Sequence, residues 1–263
     1  VLFGSMNETA RLFDIASGDR RHGAAIIERR LIDGLLQARR GWNVDELARG
    51  AAALRAGQPA MANLRSLARR LVEDDPAVVE AHLRERLAVL GELDRRFAAN
   101  AWPHIEGRRR VLSLSRSSAV AAVLVGAWER GWRGEPVIFD GSRTGCGREQ
   151  ARRLAETIQG VRSQPDATIP GWLAGEGSLV VVGADAVSPR RLVNASGTAA
   201  LLELAAFRKV PAMVVADSGK DIADDEIDEI LAAGPSATDD DPGRSWPVFE
   251  AVARRLATMR IRE

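Results

Sequence analysis

Cysteine, histidine and tyrosine are scarce or absent in this sequence. Cys146 is its single cysteine, which excludes an internal disulfide and a metal site built from several cysteines. The three histidines, His22, His82 and His104, do not show the spacing of zinc ligands, and we expect no metal. No apolar run reaches the length of a membrane-spanning helix, so we also expect no contact with a membrane.

The chain also lacks a charge excess of either sign. Its formal net charge is +1, and 46% of its residues are hydrophobic, as in an ordinary globular protein. Nucleic-acid binding would need a local basic patch, and we expect no direct nucleic-acid binding. The residues before Met6 have neither the charged start nor the cleavage site of a signal peptide. We therefore interpret residues 1–5 as a cloning remnant and expect a cytoplasmic protein.

Two halves of the sequence have different periodicities. From Glu8 to about Ala101 the pattern is helical, and HGAAIIERRLIDGLLQAR places its isoleucines and leucines on one helix face. After Pro103, short β-rich runs alternate with helical stretches, which is typical of a parallel, doubly wound sheet. The predicted fold class is therefore α/β, with a helical domain over 1–105 followed by a Rossmann-like ligand-binding domain over 106–263.

The β-rich runs of the second half predict the order of its strands. The segment at the end, WPVFEAVARRLATMRI, predicts either a final helix or a helix plus an edge strand. The predicted strands are 110–115, 136–142, a weaker one at 167–170, 178–187 and 210–220.

Cations and hydroxyl groups follow the predicted strands, at the edge where such sheets bind ligands. Arg116, Arg143 and Lys220 each lie beside serine or threonine, and Asn194–Thr198 opens a helix with small residues. Free N–H groups at a helix start attract anions, so this edge is predicted to bind phosphate. The alternative is that the hydroxyl groups only cap helices. Neither a Walker loop nor a nicotinamide fingerprint is present, and we expect no cofactor.

Asp185 stands at the end of an apolar strand, between small residues. Partial desolvation there would raise the pKa of its carboxyl group and suit it to proton transfer. Alternatively, Asp185 caps a loop or pairs with Arg190 or Arg191. The spacing alone favours neither interpretation.

The ordered set of motifs resembles the initiation factor two-B alpha/beta/delta superfamily. Its hallmark is a strand ending in Gly-Ala-Asp, then Asn-Lys-x-Gly-Thr, then a strand leading to a lysine. The matching segments are LVVVGADAV, LVNASGTAALL and VPAMVVADSGK. Upstream, HGAAIIERRLIDGLL, GQPAMANLRSLARRL and VIFDGSRTGCG are similar to further family segments, and WPVFEAV is similar downstream. The likeness therefore covers most of the chain.

The resemblance implies a helical domain, a Rossmann-like domain and a homodimer formed through the latter. Relatives include methylthioribose-1-phosphate isomerase and ribose-1,5-bisphosphate isomerase, which interconvert aldose and ketose by moving a proton between C1 and C2. Their chemistry relies on a cysteine after the first strand and on the aspartate of Gly-Ala-Asp. Asp185 matches the aspartate, whereas Ser115 stands at the cysteine position. A serine hydroxyl does not ionise usefully near neutral pH without a strong base beside it.

Other family positions are partly retained and partly changed. Gln58 stands in place of an arginine, Ala195 of a lysine, Thr144 of a proline and Cys146 of a glutamine. Cys146 precedes a helix, where a thiolate is favoured, but replacement of the lost cysteine from another loop is uncommon. The matching substrate-binding positions are Gly23, Ala24, Arg143, Gly147, Asn194, Gly197, Thr198 and Lys220, to which the strand-end argument adds Arg116.

Three hypotheses about function follow. The first is a protein that binds a phosphorylated pentose-type sugar, with possible aldose–ketose isomerase activity through Asp185 and Ser115. The second is a non-catalytic sensor of a sugar phosphate or nucleotide that acts through oligomer contacts. The third is a structural protein, with Trp128 and Trp132 marking an interface rather than ordinary packing. An open space between Ser115 and Asp185, not filled by Trp172, Trp246 or a helix, would leave catalysis possible.

Overall fold

A computed structural model of the chain describes residues 8–141, 145–234, 236–238 and 245–263. The fold divides into two compact units, one up to Glu92 and one from Leu93 onward. This division falls inside a long helix, and the boundary between residues 105 and 106 stays a prediction from the sequence.

The first unit is helical because its apolar residues recur at helical spacing. Asn43 caps the third helix by accepting hydrogen bonds from the N–H groups of Asp45 and Glu46. Pro76 opens the fifth helix, a position at which the missing N–H costs nothing. The core of the unit is built from buried leucines and isoleucines on the inner helix faces. The helices are α1 (Glu8–Gly18), α2 (Ala24–Gln37), α3 (Val44–Gly57), α4 (Ala62–Glu73) and α5 (Pro76–Ile105), of which α5 continues into the second unit.

The second unit is an α/β fold whose helices and strands largely alternate. Its helices are α6 (Ser118–Glu129), α7 (Cys146–Ala155), α8 (Ile169–Trp172), α9 (Thr198–Phe207) and α10 (Glu226–Ala232). Its strands are β1 (Arg110–Leu114), β2 (Glu135–Phe139), β3 (Arg162–Gln164), β4 (Ser178–Gly183), β5 (Ala186–Val187), β6 (Arg191–Ala195), β7 (Ala212–Val215), β8 (Ser236–Thr238), β9 (Ser245–Pro247), β10 (Phe249–Ala253) and β11 (Met259–Ile261).

A six-stranded parallel sheet forms the centre of this unit, with the strand order β11-β7-β4-β1-β2-β3. Leu112 of β1 is aligned with Val137 of β2 and Val180 of β4, and all three are fully buried. Strands covered on both faces are apolar throughout, which explains the uninterrupted valines of β4. The predicted fold class, a helical domain followed by a parallel-sheet domain, is confirmed.

Two smaller sheets lie outside the central one. The first has the order β10-β6-β5 and is antiparallel, and the second pairs β8 with β9. Strand β6 was not predicted, because the sequence between residues 187 and 195 reads as a basic loop. It forms because β10, more than fifty residues further along, supplies a partner for its hydrogen bonds.

Two predictions of secondary structure are wrong. Residues 167–170 are helical rather than a strand: a 3-10 turn, Asp166–Thr168, leads into α8, where a proline near the first position favours a helix start. The third strand is Arg162–Gln164 instead. Residues 246–261 do not form a final helix of the predicted kind, because β10 pairs with β6 and only a short 3-10 turn follows. The predicted edge strand is confirmed as β11.

No helix within the described ranges is both long enough and apolar enough to cross a membrane.

Candidate functional site

The strand order of the central sheet reverses between β1 and β4. Strands β2 and β3 extend the sheet to one side of β1, whereas β7 and β11 extend it to the other side of β4. In open α/β sheets the crevice for ligands lies beyond the carboxyl ends of the strands at such a reversal. Ser115 follows β1 and Gly183 ends β4, so the chain places the predicted catalytic residues at this point.

The backbone at Ser115 is in the left-handed region, with φ +62°. Its N–H group donates to the carbonyl oxygen of Phe139 at 2.9 Å, which holds this conformation in place. Gly141 lies against it: a Cβ on Gly141 would be 2.9 Å from the Ser115 Cα. Left-handed residues other than glycine are uncommon and concentrate at functional sites. The sequence contains no sign of this strain, since serine is not a typical left-handed residue.

Asp185 lies deep in the second unit, although the residue keeps some exposed surface. Burial raises the pKa of its carboxyl group above the ordinary value, and the positive charge of Lys220 partly opposes this. A raised pKa is one of the two interpretations that the sequence left open. The alternative pairing is not seen, because Arg190 pairs with Asp224 at 2.8 Å and Arg191 with Asp228 at 2.6 Å.

Lys220 is brought to this carboxyl group by a short turn after β7. The turn, Ser218–Lys220, is 3-10 helical and begins at Asp217, whose side chain accepts from the N–H of Gly219 at 3.0 Å. The Lys220 side chain is 91% buried, and its Nζ donates to the carbonyl oxygen of Ala184 at 2.5 Å. The ammonium group therefore lies against the residue before Asp185.

Arg260 of the last strand and Glu263 just after it hold this turn, and no sequence pattern had pointed to either residue. The guanidinium of Arg260 donates to the carbonyl oxygens of Ala216 and Asp217 at 3.3 and 3.2 Å. The carboxylate of Glu263 accepts from the N–H and the hydroxyl of Ser218. Only the pairing of β11 with β7 brings these side chains to the site.

The predicted phosphate loop, Asn194–Thr198, uses its own polar side chains internally. Asn194 lies in β6, and its Nδ2 donates to Thr198 Oγ1 at 3.0 Å. The Thr198 hydroxyl in turn donates to the carbonyl oxygen of Ala195 at 2.6 Å, and Thr198 is fully buried. Gly197 precedes α9 with φ +102°, a backbone conformation that favours glycine. These bonds fix the loop in one conformation.

Glu250 occupies the start of α9, and the sequence analysis did not identify it. Its Oε1 accepts from the N–H groups of Gly197 and Ala199 at 2.9 and 2.7 Å. Glu250 lies in β10 directly opposite Asn194. Two of the donors expected to hold phosphate therefore bind a carboxylate of the chain. The ligand-binding roles of Asn194, Gly197 and Thr198 stay predictions.

The loops after β1 and β2 hold further predicted residues. Arg116 is half-buried, and its charge helps to lower the pKa of Glu149, which is held down mainly by Arg153. Gly147 lies in the first turn of α7 against the end of β2. Arg143 lies outside the described residues. The binding roles of Arg116 and Gly147 stay predictions.

Cys146 is a free, half-buried thiol at the first position of α7, the helix start that the sequence predicted. The described parts of the chain contain no group of three or more histidine, cysteine, aspartate or glutamate side chains arranged to hold a metal ion.

The helical unit contains the remaining predicted positions. Gly23 precedes α2, and its carbonyl oxygen accepts from Ile26 and Ile27; Ala24 is buried in the first turn. Their binding roles stay predictions. Gln58, at the position of a family arginine, is 95% buried, and its amide donates to carbonyl oxygens at the end of α1. Gln58 thus has a structural role within this unit.

Of the two tryptophans named as possible obstacles, Trp172 lies away from the carboxyl edge, whereas Trp246 directly precedes residues that bond to the Asn194–Thr198 loop. The Trp172 ring stacks under the guanidinium of Arg110 at 4.8 Å, and Arg110 begins β1, at the amino edge of the sheet. Trp246 lies in β9, paired with Ala237 of β8. Trp172 therefore stands at the edge opposite to Ser115.

Fold and strand-end residues together define a Rossmann-like α/β protein with a helical N-terminal unit and a polar carboxyl edge. The model of the Initiation factor 2 subunit family matches residues 20–229, and the chain belongs to this family. No curated protein matches the sequence.

Three solved structures that share this fold are distantly related to the chain in sequence. A translation initiation factor eIF-2B from Pyrococcus horikoshii OT3 is 20% identical, with 97% of this chain and 95% of that chain covered and a TM-score of 0.84. The tetrameric eIF2B-beta2-delta2 complex from C. thermophilum is 15% identical, with 98% of this chain and 91% of that chain covered and a TM-score of 0.75. The 5-methylthioribose 1-phosphate isomerase from P. horikoshii OT3 is 14% identical, with 97% of this chain and 82% of that chain covered and a TM-score of 0.69.

Proposed function

We propose that this protein binds a phosphorylated pentose-type sugar at the carboxyl edge of its parallel sheet, between β1 and β4. The observation that carries the proposal is the buried Asp185, close enough to Lys220 for its positive charge to act on the carboxyl group, at the strand-order reversal where the left-handed Ser115 also ends its strand. A carboxyl group with a raised pKa donates a hydrogen bond when protonated, which suits a sugar hydroxyl. The nearby Arg116 supplies a cation for phosphate.

Binding without efficient isomerisation is the form of the proposal that we favour. Moving a proton between C1 and C2 requires groups that both give and accept it. Asp185 has the raised pKa that such a role needs. Ser115, in contrast, offers a hydroxyl that cannot replace the thiol of the related isomerases. The site therefore retains one half of the proton-transfer pair.

A regulatory role through oligomer contacts is the second candidate. Structures of translation initiation factor eIF-2B and its subunits are among those similar to this chain, with TM-scores from 0.66 to 0.84. One of the similar structures is a tetrameric complex. We infer a cytoplasmic homodimer formed through the second unit, whose ligand state changes its contacts with a partner. Size-exclusion chromatography with light scattering, with and without ligand, tests this part.

Phosphorus NMR tests both parts of the ligand proposal. Ribose 1,5-bisphosphate and methylthioribose 1-phosphate are added separately to the wild type, and we expect broadened or shifted substrate signals without ketose-phosphate product. Asp185→Asn should weaken the effect, whereas Glu203→Gln, an exposed change on α9, should not. Ser115→Cys, which restores the thiol, should yield some product.

Two results would contradict the proposal in different ways. Product formation by the wild type that disappears in Asp185→Asn would show that isomerisation proceeds without the cysteine. Unperturbed signals for both sugars would exclude a pentose phosphate as the ligand and leave the regulatory candidate, with a nucleotide or a protein as its effector.

A further inference from the structure

The start of α9 is closed by a carboxylate that belongs to the chain. A helix start binds phosphate because its N–H groups and the positive end of its dipole face the anion. Here the N–H groups of Gly197 and Ala199 both donate to Oε1 of Glu250, at 2.9 and 2.7 Å. Glu250 therefore makes the contacts that a phosphate oxygen would make.

Strand pairing holds this carboxylate in place. Glu250 lies opposite Asn194 in the antiparallel pair of β10 and β6, so both side chains project from the same face. The N–H of Ser196 donates to the carbonyl oxygen of Val248 at 2.9 Å, and its hydroxyl donates to that of Pro247. The loop before α9 is thus attached to the two residues that directly precede the strand carrying Glu250.

The start of α9 has a second acidic side chain nearby. Asp166 contributes a second carboxylate, whose Oδ2 lies 3.8 Å from the point that a Cβ on Gly197 would occupy. The loop Asn194–Thr198 contains no cationic residue, and Ala195 stands where the family motif has a lysine. A phosphate group placed here would meet the Glu250 carboxylate directly, with no cation supplied by the loop itself.

We propose that Glu250 is a specificity-determining residue that denies the start of α9 to phosphate and other anions. A ligand at the carboxyl edge must then direct uncharged groups, such as sugar hydroxyls, toward α9 and place its phosphate elsewhere along the edge. The exclusion of anions does not depend on the identity of the ligand, and it holds whether or not a sugar phosphate binds.

Amide NMR of the full, 15N-labelled chain tests this directly with inorganic phosphate at constant ionic strength. In the wild type, the signals of Gly197 and Ala199 should show no saturable shift. Glu250→Ala vacates the position, and we expect a saturable shift at these amides, with an affinity for phosphate at least about tenfold above the upper limit set by the wild type. Glu203→Ala removes one charge from the exposed side of the same helix and should behave like the wild type.

A second variant separates loss of charge from loss of the fold. Glu250→Gln keeps an oxygen that can accept both N–H bonds, and it should also gain phosphate affinity. If either Glu250 variant is less stable, phosphate should raise its unfolding temperature more than chloride does.

A saturable phosphate shift at Gly197 and Ala199 in the wild type would overturn the proposal. No gain in either Glu250 variant over Glu203→Ala would overturn it as well. The sugar-phosphate proposal is tested separately, by adding the two sugars to the wild type. Its failure is therefore distinguishable from failure of the proposal about Glu250.

Discussion

Gly147 fixes the distance between α7 and the carboxyl end of β2, and adding one methyl group there should be costly. A Cβ on Gly147 would lie 2.7 Å from the carbonyl carbon of Phe139 and 2.8 Å from the Cα of Asp140, and closer still to the Phe139 carbonyl oxygen. All of these atoms belong to the backbone, so no side chain can turn away. Gly147→Ala must therefore push α7 off the strand.

The size of the effect follows from two contributions. Overpacking against a rigid neighbour costs about 1–3 kcal/mol. The hydrogen bond from the Gly147 N–H to the carbonyl oxygen of Asp140, 3.0 Å long, is lost or weakened, which costs about 1 kcal/mol. We expect the free energy of unfolding to fall by about 2–4 kcal/mol and the unfolding temperature by roughly 5–15 °C.

Urea unfolding and thermal scans of Gly147→Ala measure this, with Gly171→Ala as the matched control. A Cβ on Gly171 would meet no atom within 4 Å, so that change should stay within about 0.5 kcal/mol of the wild type. A Gly147→Ala protein as stable as the control would refute the close approach of α7 to β2 on which the reasoning rests.

Three further changes test other parts of the structure. Burial raises the folded-state pKa of Asp185 above its unfolded value of 3.8, so ionisation of this carboxyl group destabilises the fold as pH rises through the folded-state pKa. Urea unfolding across this pH range should therefore show Asp185→Asn gaining stability relative to the wild type toward neutral pH. A difference in stability that does not change with pH would contradict the burial. Arg86→Met removes the two 2.8 Å hydrogen bonds that Arg86 donates to Glu28, which is 97% buried, and should lower the free energy of unfolding in urea by about 3–5 kcal/mol. The double change Glu28→Gln, Arg86→Met should lower it less, because no buried charge is then left unpaired. Asn43→Ala removes the cap of α3 and should lower the free energy of unfolding by about 1 kcal/mol, with no change in the NMR signals of the second unit. A loss of stability below about 0.3 kcal/mol would argue against the cap.

The parts of the fold that depend on local pattern were predictable. Alternation of apolar runs and helical stretches predicted the parallel sheet, because a crossover helix is the ordinary way to join parallel strands. The position of Asp185 just after a largely apolar strand offered a raised pKa of its carboxyl group as one of two interpretations, and burial in the folded chain gives that direction. Both inferences use only neighbours along the chain.

The parts that depend on distant partners were missed. Strand β6 contains two polar residues out of five and has no strong pattern of its own, so its pairing with β10 decides its conformation. The helix expected over 246–261 gave way to strands for the same reason. A weak local preference is overridden when a neighbouring backbone offers unpaired hydrogen-bonding groups.

The sequence by itself determined the class of this protein: a helical unit, a parallel sheet, and a polar edge with Asp185 and Lys220 at the ends of successive apolar strands. The tertiary structure alone decided that Ser115 is left-handed, that β11 holds the Lys220 turn, and that Glu250 fills the start of α9. The difference is physical. Periodicity and turn chemistry act between residues close in sequence, whereas the charge at a helix start is set by any side chain that the fold brings within hydrogen-bonding distance, here one more than fifty residues away.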